Sequence, residues 1–292
     1  MNKSNLEFIA AMIIFGSNGV LASFVPWYSY EIVLARTTIG ALSMLLIILL
    51  TRQRLVFKQH LSEMKMLVFS GIFMGLNWMF LYEAYRHLGV GLAQILSSSG
   101  PALAMVLAPL IFKEQLRKHK LFGFAVVLVG MVFISSNDLS AGSLFGLACG
   151  FAATITYAGF IVCNRFAPSI QGSERVMWQL LIASVMVFGF VLYRGTGLPS
   201  SLSFSAAIAV LLLGVVNTGL AVNLMFSSLQ KLPLQTVGIY AYLEPMSALI
   251  FSALLLGEQM SLIQYLGVAL ILGGTAFAEL YRPRRARLAP SE

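Results

Sequence analysis

The chain consists mostly of apolar segments that are long enough to cross a lipid bilayer as helices, joined by short polar loops. A crossing helix needs about 20 predominantly apolar residues. Charged residues make up only 10% of the sequence, against roughly 25% in soluble domains. The segments therefore predict an all-α integral membrane protein with ten transmembrane helices. The expected spans are approximately residues 5–24, 31–51, 65–86, 90–112, 120–135, 142–164, 174–193, 205–229, 235–257 and 262–281.

The second half of the chain repeats the first with an offset of 144 residues and no gap. Chance could supply the apolar matches between Val237–Glu258 and Ala93–Glu114. It would not readily supply Pro245 with Pro101, Glu258 with Glu114, Gln259 with Gln115, Gly267 with Gly123 and Gly274 with Gly130. We therefore predict a duplicated membrane unit. The first repeat covers residues 1–136, the second covers 137–281, and 282–292 form a basic cytoplasmic tail.

The basic residues are distributed unevenly between the two sides of the predicted membrane protein. With the N-terminus inside, sixteen of the nineteen lie on the cytoplasmic side, Arg86 and Arg194 lie outside, and Arg36 lies within a span. This is the positive-inside pattern, so we expect a multi-pass cell-membrane protein with both termini in the cytoplasm. The net charge of +8 then reflects orientation and contact with anionic lipid, and does not indicate nucleic acid binding.

Each predicted repeat holds an odd number of spans, five. Two successive units of five spans must insert into the membrane in opposite directions. The sequence therefore predicts two inverted five-helix repeats, which is the plan of many secondary transporters.

An acid followed by a proline, Glu244-Pro245, lies near the middle of the ninth span. Proline loosens a helix, and a charge at this depth costs roughly 2.5–3.5 kcal/mol on insertion scales. We expect Glu244 to line a central cavity, where it exchanges a proton or holds a cationic group. Tyr240, one helical turn away, is its expected companion. The alternative is that Glu244 only bonds to Asn217 or Asn223 and locks the bundle.

Further polar residues within the spans are candidates for the walls of the same cavity. They are Asn18, Arg36, Asn77, Trp78, Glu83, Gln94, Ser98, Tyr157 and Asn217. Several have structural alternatives. The polar notch around Asn18 also suits close helix packing, and Trp78 could face lipid. Arg36 could pair with Glu83 at a similar depth instead of meeting an anionic substrate group.

The sequence holds no pattern that predicts a metal site, a cofactor site or ATP binding. The three histidines lie in or beside loops, and there is no HExxH, CxxC or clustered Asp motif. Cys149 and Cys163 lie about 20 Å apart on one helix and cannot bridge each other. We expect no cofactor.

Five features occur together in a fixed order along the chain. They are the two five-span repeats, the Gly16-Ser17-Asn18 notch, Arg36 early in span two, NWMFLYEAY in span three, and Pro-x12-Glu at the ends of spans four and nine. This combination resembles the EamA-type members of the drug/metabolite transporter superfamily over about residues 5–281. The resemblance implies ten helices in inverted repeats, a central cavity, no cofactor, and transport of small metabolites that is often outward and in some members proton-coupled. It places Arg36, Asn77, Glu83 and Glu244 among the family's recurrent polar positions.

These observations favour a secondary active transporter that exports small polar or amphipathic metabolites, amino-acid-like or drug-like, by alternating access. Import or exchange of a small metabolite is the alternative. An intramembrane enzyme acting on lipid would need a nucleophile–base pair or a metal, and the spans hold one mid-membrane acid without a suitably buried histidine. A purely structural membrane protein would have little reason for an inverted duplication. The expected partners are a small molecule, membrane lipid and, where transport is coupled, protons.

Cysteine labelling of the loop 113–120 tests this topology. We expect labelling only from the cytoplasmic side, because the loop carries four basic residues that resist translocation. A reporter or label that places this loop outside the cell would contradict the orientation.

Overall fold

The computed structural model describes residues 3–113, 118–135, 141–195, 203–229, 231–232 and 234–280. Within these ranges the regular structure is helical and contains no strand, which confirms the predicted all-α class. The helices are α1 Lys3–Gly16, α2 Asn18–Ser23, α3 Ser29–Thr51, α4 Leu61–Leu88, α5 Val90–Ser97, α6 Gly100–Phe112, α7 Lys118–Ser135, α8 Ala141–Arg165, α9 Gly172–Arg194, α10 Phe204–Leu211, α11 Ala221–Leu229, α12 Leu234–Ala241, α13 Leu243–Leu256 and α14 Leu262–Leu280. A 3₁₀ turn covers Phe57–Gln59, and a π-helical segment covers Leu212–Leu220.

Among the described residues, eight helical stretches are long and apolar enough to cross a membrane. They are Lys3–Ser23, Ser29–Thr51, Leu61–Leu88, Val90–Phe112, Gly142–Arg165, Gly172–Arg194, Phe204–Met225 and Ile239–Leu256. They correspond to eight of the ten predicted spans. The fifth predicted span coincides with α7, and the tenth coincides with α14. The apolar part of α14, Leu262–Ala278, is shorter than the eight stretches. The count of ten spans stays a prediction.

Two of the spans are each divided into two helices at the same place in the repeat. Ser98 lies at the break between α5 and α6, and Tyr242 lies at the break between α12 and α13. The two residues are separated by the repeat offset. Pro101 and Pro245 follow the breaks and lie in the first turns of α6 and α13. Proline suits a first turn because its missing N–H is not needed there.

The far ends of the divided spans also match. Lys113 follows α6 with φ 55°, and Gly257 follows α13 with φ 68°. Positive φ is common for glycine but uncommon for lysine. The two repeats therefore share backbone geometry even where their side chains differ.

The glycines of α7 and α14 form an antiparallel contact between the repeats. A Cβ on Gly123 would lie 2.6 Å from the carbonyl oxygen of Gly274, and one on Gly130 would lie 2.7 Å from that of Gly267. The repeat offset relates Gly123 to Gly267 and Gly130 to Gly274. Exchanging the two repeats therefore turns the Gly123–Gly274 contact into the Gly130–Gly267 contact. A two-fold relation between the repeats produces this pattern.

One end of the bundle, which we call the sealed end, is filled by a continuous cluster of buried apolar side chains. The cluster joins the start of α3, the end of α4 and the start of α5 to α9 and α10. Its members include Tyr30, Leu81, Val90, Val191 and Leu213. This packing closes the bundle at that end.

Some sequence predictions fall outside the described residues. They concern Glu114, the joint between the repeats at 136–140, and the tail at 282–292. Cys149 and Cys163 are described, and both are free and buried.

The α7–α14 contact predicts that alanine substitution of two neighbouring glycines has opposite effects on the melting temperature. Gly274→Ala should lower the melting temperature of the detergent-solubilised protein, because the added Cβ would lie 2.8 Å from the carbonyl oxygen of Gly123. Overpacking of this kind costs ~1–3 kcal/mol. Gly273→Ala is the matched control, since nothing lies within 4 Å of its Cβ position and alanine is the better helix former. Equal melting temperatures would contradict the packing.

Candidate substrate cavity

A cavity of about 540 Å³ lies within the bundle and is lined by both repeats. It extends from Arg36 and Gln94, below the sealed end, toward Asn164 and Arg175, where α8 ends and α9 begins. Eight of the eleven site residues predicted from the sequence line it. These are Asn18, Arg36, Asn77, Trp78, Gln94, Ser98, Tyr157 and Glu244.

Most of the other lining side chains are apolar. They include Phe8, Met12, Phe15, Met74, Leu81, Phe160, Ile161, Val176, Val222 and Met225. Apolar walls with a few placed polar groups are typical of a site for a small organic molecule.

Glu244 lies in the first turn of α13, directly after the break at Tyr242. The positive end of the helix dipole stabilises a carboxylate at that position. Its Oε1 accepts a 3.1 Å hydrogen bond from Nε2 of Gln94 on α5. Oε1 of Gln94 in turn accepts a 2.6 Å hydrogen bond from the hydroxyl of Tyr85 on α4. This chain of hydrogen bonds joins the acid of the second repeat to two helices of the first.

Arg36 is 3% exposed and has partners on three sides. Its Nη1 donates to the Tyr82 hydroxyl at 2.7 Å, and its Nε donates to Oγ1 of Thr218 at 3.2 Å. Its guanidinium carbon lies 3.9 Å from the centre of the Trp78 ring. Stacking on an aromatic ring and two fixed donors hold the planar group in one orientation. Trp78 therefore lines the cavity beside Arg36. From the sequence alone, a position facing lipid was the alternative.

Thr218 reaches Arg36 from the π-helical segment Leu212–Leu220. Its hydroxyl also donates to the carbonyl of Leu213, five residues earlier, at 2.9 Å. Five residues is the spacing of π-helical hydrogen bonds, and such segments often occur at functional sites. Thr218 was not predicted from the sequence, because a helical apolar pattern does not reveal where one turn widens.

Two lining asparagines have structural partners. Nδ2 of Asn77 donates to the carbonyl of Ala153 on α8 at 2.7 Å. Oδ1 of Asn18 accepts a 3.0 Å hydrogen bond from Asn217. Each amide therefore holds two helices together and also borders the cavity.

Three predicted site residues are not among those that line the cavity in the described structure. Asn217 is 1% exposed and lies behind Asn18. Tyr240 packs against Phe8, with ring centroids 6.4 Å apart. Glu83 lies at the sealed end.

Tyr242, rather than Tyr240, lines the cavity together with Glu244. The prediction of Tyr240 assumed a continuous helix, in which residues four apart share a face. Because the helix is interrupted at Tyr242, that spacing rule does not hold across the break. The hydrogen-bond partner of Glu244 is Gln94 and not Asn217, which the locking alternative had named.

The expected ion pair between Arg36 and Glu83 is not formed, although the structure describes both residues. Oε2 of Glu83 accepts a 2.5 Å hydrogen bond from Ser29, and its Oε1 lies 3.4 Å from Nε2 of His87. The prediction rested on a similar depth in the membrane. Successive helical residues point about 100° apart, so Tyr82 faces Arg36 and its neighbour Glu83 does not.

A second polar group lies at the end of the cavity opposite the sealed end. Nε2 of Gln179 donates to Ser70 at 2.7 Å and to Oδ1 of Asn164 at 2.6 Å. Arg175 donates to backbone carbonyls of the α8–α9 loop. Sequence reasoning left these cavity residues out because they lie near the end of their spans.

A separate space of about 600 Å³ lies between α3 and α9. Its walls are mainly apolar and include Val185 and Phe188, which are 66% and 47% exposed. Exposed apolar side chains on a membrane span face lipid. We therefore assign the candidate substrate site to the central cavity.

A duplicated helical membrane bundle with a cavity lined by both repeats is the architecture of many membrane transporters. The EamA-like transporter family matches residues 2–136 and 144–279 of this chain. The protein therefore belongs to the EamA-like transporter family, and the resemblance drawn from its motifs is confirmed.

Individual relatives are more distant. The uncharacterized transporter YxxF of Bacillus subtilis strain 168 is 23% identical over 287 residues, which cover 97% of this chain and 91% of that protein. The threonine/homoserine exporter RhtA of Escherichia coli K12 is 26% identical over 250 residues, covering 82% and 78%. One solved crystal structure is similar with a TM-score of 0.65 at 17% identity, covering 96% of this chain and 98% of that one. The structural likeness supports the fold alone.

Double-mutant cycles compare the observed partner of Arg36 with the predicted one. Arg36→Gln and Tyr82→Phe share a 2.7 Å hydrogen bond, so we expect coupling of ~1 kcal/mol in the free energy of unfolding. Arg36→Gln and Glu83→Gln should be additive within ~0.5 kcal/mol. Tyr82 and Glu83 are neighbours in sequence, which makes the second cycle a control for the first. Equal coupling in the two SDS-unfolding cycles would contradict the assigned contacts.

Proposed function

We propose that this protein is a secondary active transporter that exports small polar or amphipathic metabolites by alternating access around the central cavity. The observation that carries the proposal is that Glu244 and Arg36 line one cavity whose other walls are largely apolar. A zwitterion with a small apolar body, such as an amino acid or an amino-acid-like drug, matches this combination. The relative RhtA, named as a threonine/homoserine exporter, supports the same substrate class.

Glu244 supplies the acidic group of the proposed site. A substrate ammonium group, or a proton, would compete with Gln94 for the carboxylate, because the Gln94 bond lies at the cavity wall. Binding at Glu244 would thereby change the contact between α5 and α13. This links occupancy of the cavity to the arrangement of the two repeats.

Arg36 supplies the cationic group of the proposed site. Its described contacts use Nε and one hydrogen of Nη1, which leaves other N–H donors of the fork for an anion. A guanidinium fork matches the two oxygens of a carboxylate. Ser98, Tyr157 and Asn77 complete the polar wall with neutral groups.

The proposed topology has ten spans in two inverted repeats, with α7 and α14 as the fifth and tenth. The repeats would be 1–136 and 137–281. Exposed Arg52, Arg165 and Lys231 lie at the end toward which the cavity extends, and basic loops favour the cytoplasm. We therefore place both termini and the cavity opening in the cytoplasm of a cell-membrane protein, with the sealed end outside. Loading from the cytoplasm is what an exporter requires.

An enzymatic role has less support. The described lining residues include no histidine or cysteine that could form a nucleophile–base pair. Within the described ranges, no three His, Cys, Asp or Glu side chains gather into a group that could hold a metal ion. The groups present are suited to binding and release.

Flux measurements in proteoliposomes test the proposal. Labelled threonine, homoserine, a larger aromatic amino acid and a cationic drug are supplied with and without a pH gradient. We expect protein-dependent flux of at least one zwitterion, and the gradient and counterflow arms distinguish coupled export from import or exchange. Flux of the cationic drug alone, with none of the three amino acids transported, would contradict the proposed substrate class.

Glu244→Gln tests the proposed role of the carboxylate, since it preserves shape and a hydrogen bond to Gln94 but cannot ionise. We expect at least a tenfold loss of flux, roughly the effect of one charged hydrogen bond, and a flatter pH dependence. Glu83→Gln is the control, because Glu83 is not among the described lining residues. Unchanged flux and pH profile in a normally folded Glu244→Gln protein would leave Glu244 only a structural role.

A further inference from the structure

The carboxylate of Glu258 links the two repeats at the sealed end. Its oxygens accept hydrogen bonds from the backbone N–H groups of Val90 at 2.6 Å and Gly91 at 2.9 Å, the first two residues of α5. Such N–H groups have no acceptor within their own helix. Charge-assisted bonds and the helix dipole both favour a carboxylate here.

Two glycines make this contact close. A Cβ on Gly89, whose φ is +83°, would lie 2.8 Å from Oε1 of Glu258. A Cβ on Gly91 would lie 2.8 Å from Oγ of Ser252. The backbone N–H of Glu258 donates to the carbonyl of Ser252 at 3.2 Å, which fixes the turn after α13. The start of α5 is thus held against the end of α13.

The α5 and α13 helices are therefore joined at two points. Gln94 bonds to Glu244 where the helices reach the cavity. Val90 and Gly91 bond to Glu258 at the sealed end. Substrate can reach the first link, since Gln94 and Glu244 line the cavity, whereas Glu258 is not among the lining residues described.

We infer that Glu258 keeps the sealed end closed. Its hydrogen bonds to Val90 and Gly91 hold α5 against α13 while the cavity faces the cytoplasm, and they break when the sealed end opens. We call this contact the latch. This inference rests on the proposed alternating access. Opening that end requires the start of α5 to part from the end of α13. Once a substrate or proton at Glu244 displaces Gln94, the Glu258 bonds are the remaining described polar link between these helices. Glu258 is thus a positioning residue that acts through α5.

Cysteine accessibility measures the latch without any substrate. The two native cysteines are replaced by alanine, and Ser97→Cys adds a near-isosteric thiol that is buried and lines the cavity. A membrane-impermeant thiol reagent is applied from the outside of right-side-out vesicles. We expect Glu258→Gln to raise the labelling rate about tenfold, since a charge-assisted hydrogen bond is worth ~1.5 kcal/mol or more, and Glu258→Ala to raise it further.

Val90→Pro weakens the same latch while keeping Glu258. It removes the N–H of the shorter hydrogen bond at the first position of a helix, where proline is well accepted. This variant should label faster from the outside than Val90→Ala, which keeps the N–H group but also loses the packing of the Val90 side chain in the sealed-end cluster. Val90→Pro therefore still tests the latch if the Glu258 variants do not fold.

Glu174→Gln is the matched control. Glu174 also accepts hydrogen bonds from two successive backbone N–H groups, those of Val56 and Phe57, but at the end opposite the sealed end. The Glu174→Gln variant should label from the outside at the same rate as the Ser97→Cys protein without this substitution. If Glu258→Gln and Val90→Pro fold and label no faster than Glu174→Gln, the latch is wrong and the contact is only structural.

The labelling result is separable from the proposed transport activity. Faster labelling in the latch variants with no flux of any tested compound would support the latch and leave the substrate class wrong. Flux in proteoliposomes with unchanged labelling would support transport and overturn the latch.

Discussion

A helix that breaks inside a membrane leaves backbone groups without partners, and the bilayer core offers no water to satisfy them. This constraint determines where the present protein can place its polar site. Its breaks at Ser98 and Tyr242 lie inside the bundle, where side chains and other helices surround them. The same breaks create a helix start beside Glu244 and a short α5 that carries Gln94. The cavity, its carboxylate and the Gln94–Glu244 contact between the repeats all depend on these two interruptions.

Duplication supplied the architecture, but the two copies are chemically unequal for a visible reason. Gly100 occupies the position that corresponds to Glu244 in the second repeat. A Cβ at Gly100 would lie 2.7 Å from the ring of Tyr157, so the first repeat has no room for a second acid there. Among the described residues that line the cavity, Glu244 is the one carboxylate. One carboxylate together with the cationic Arg36 and Arg175, within largely apolar walls, is better matched to a zwitterion than to a dication.

The sequence predicted the membrane class, the duplication and eight of the residues that line the cavity, because apolar length, repeat register and isolated polar residues are all local signals. It was wrong where the prediction depended on the direction in which a side chain points. Tyr242 replaced Tyr240 beside Glu244 because the helix is interrupted between them. Thr218 was missed because a π-helical segment turns it toward Arg36. Glu83 was assigned to Arg36 from depth alone, and depth does not determine which helix face a residue occupies.

The proposed transport mechanism requires the two ends of the bundle to open in alternation around one cavity. Spin-label distances measured in the same membranes test it directly, with one pair on exposed Arg86 and Gln259 at the sealed end and another on exposed Ser169 and Lys231 at the opposite end. Alternating access predicts two populations for each pair, with the sealed-end distance lengthening as the other shortens when pH or the concentration of a transported zwitterion is varied. A single unchanging distance for both pairs, or two distances that lengthen together, would contradict alternating access.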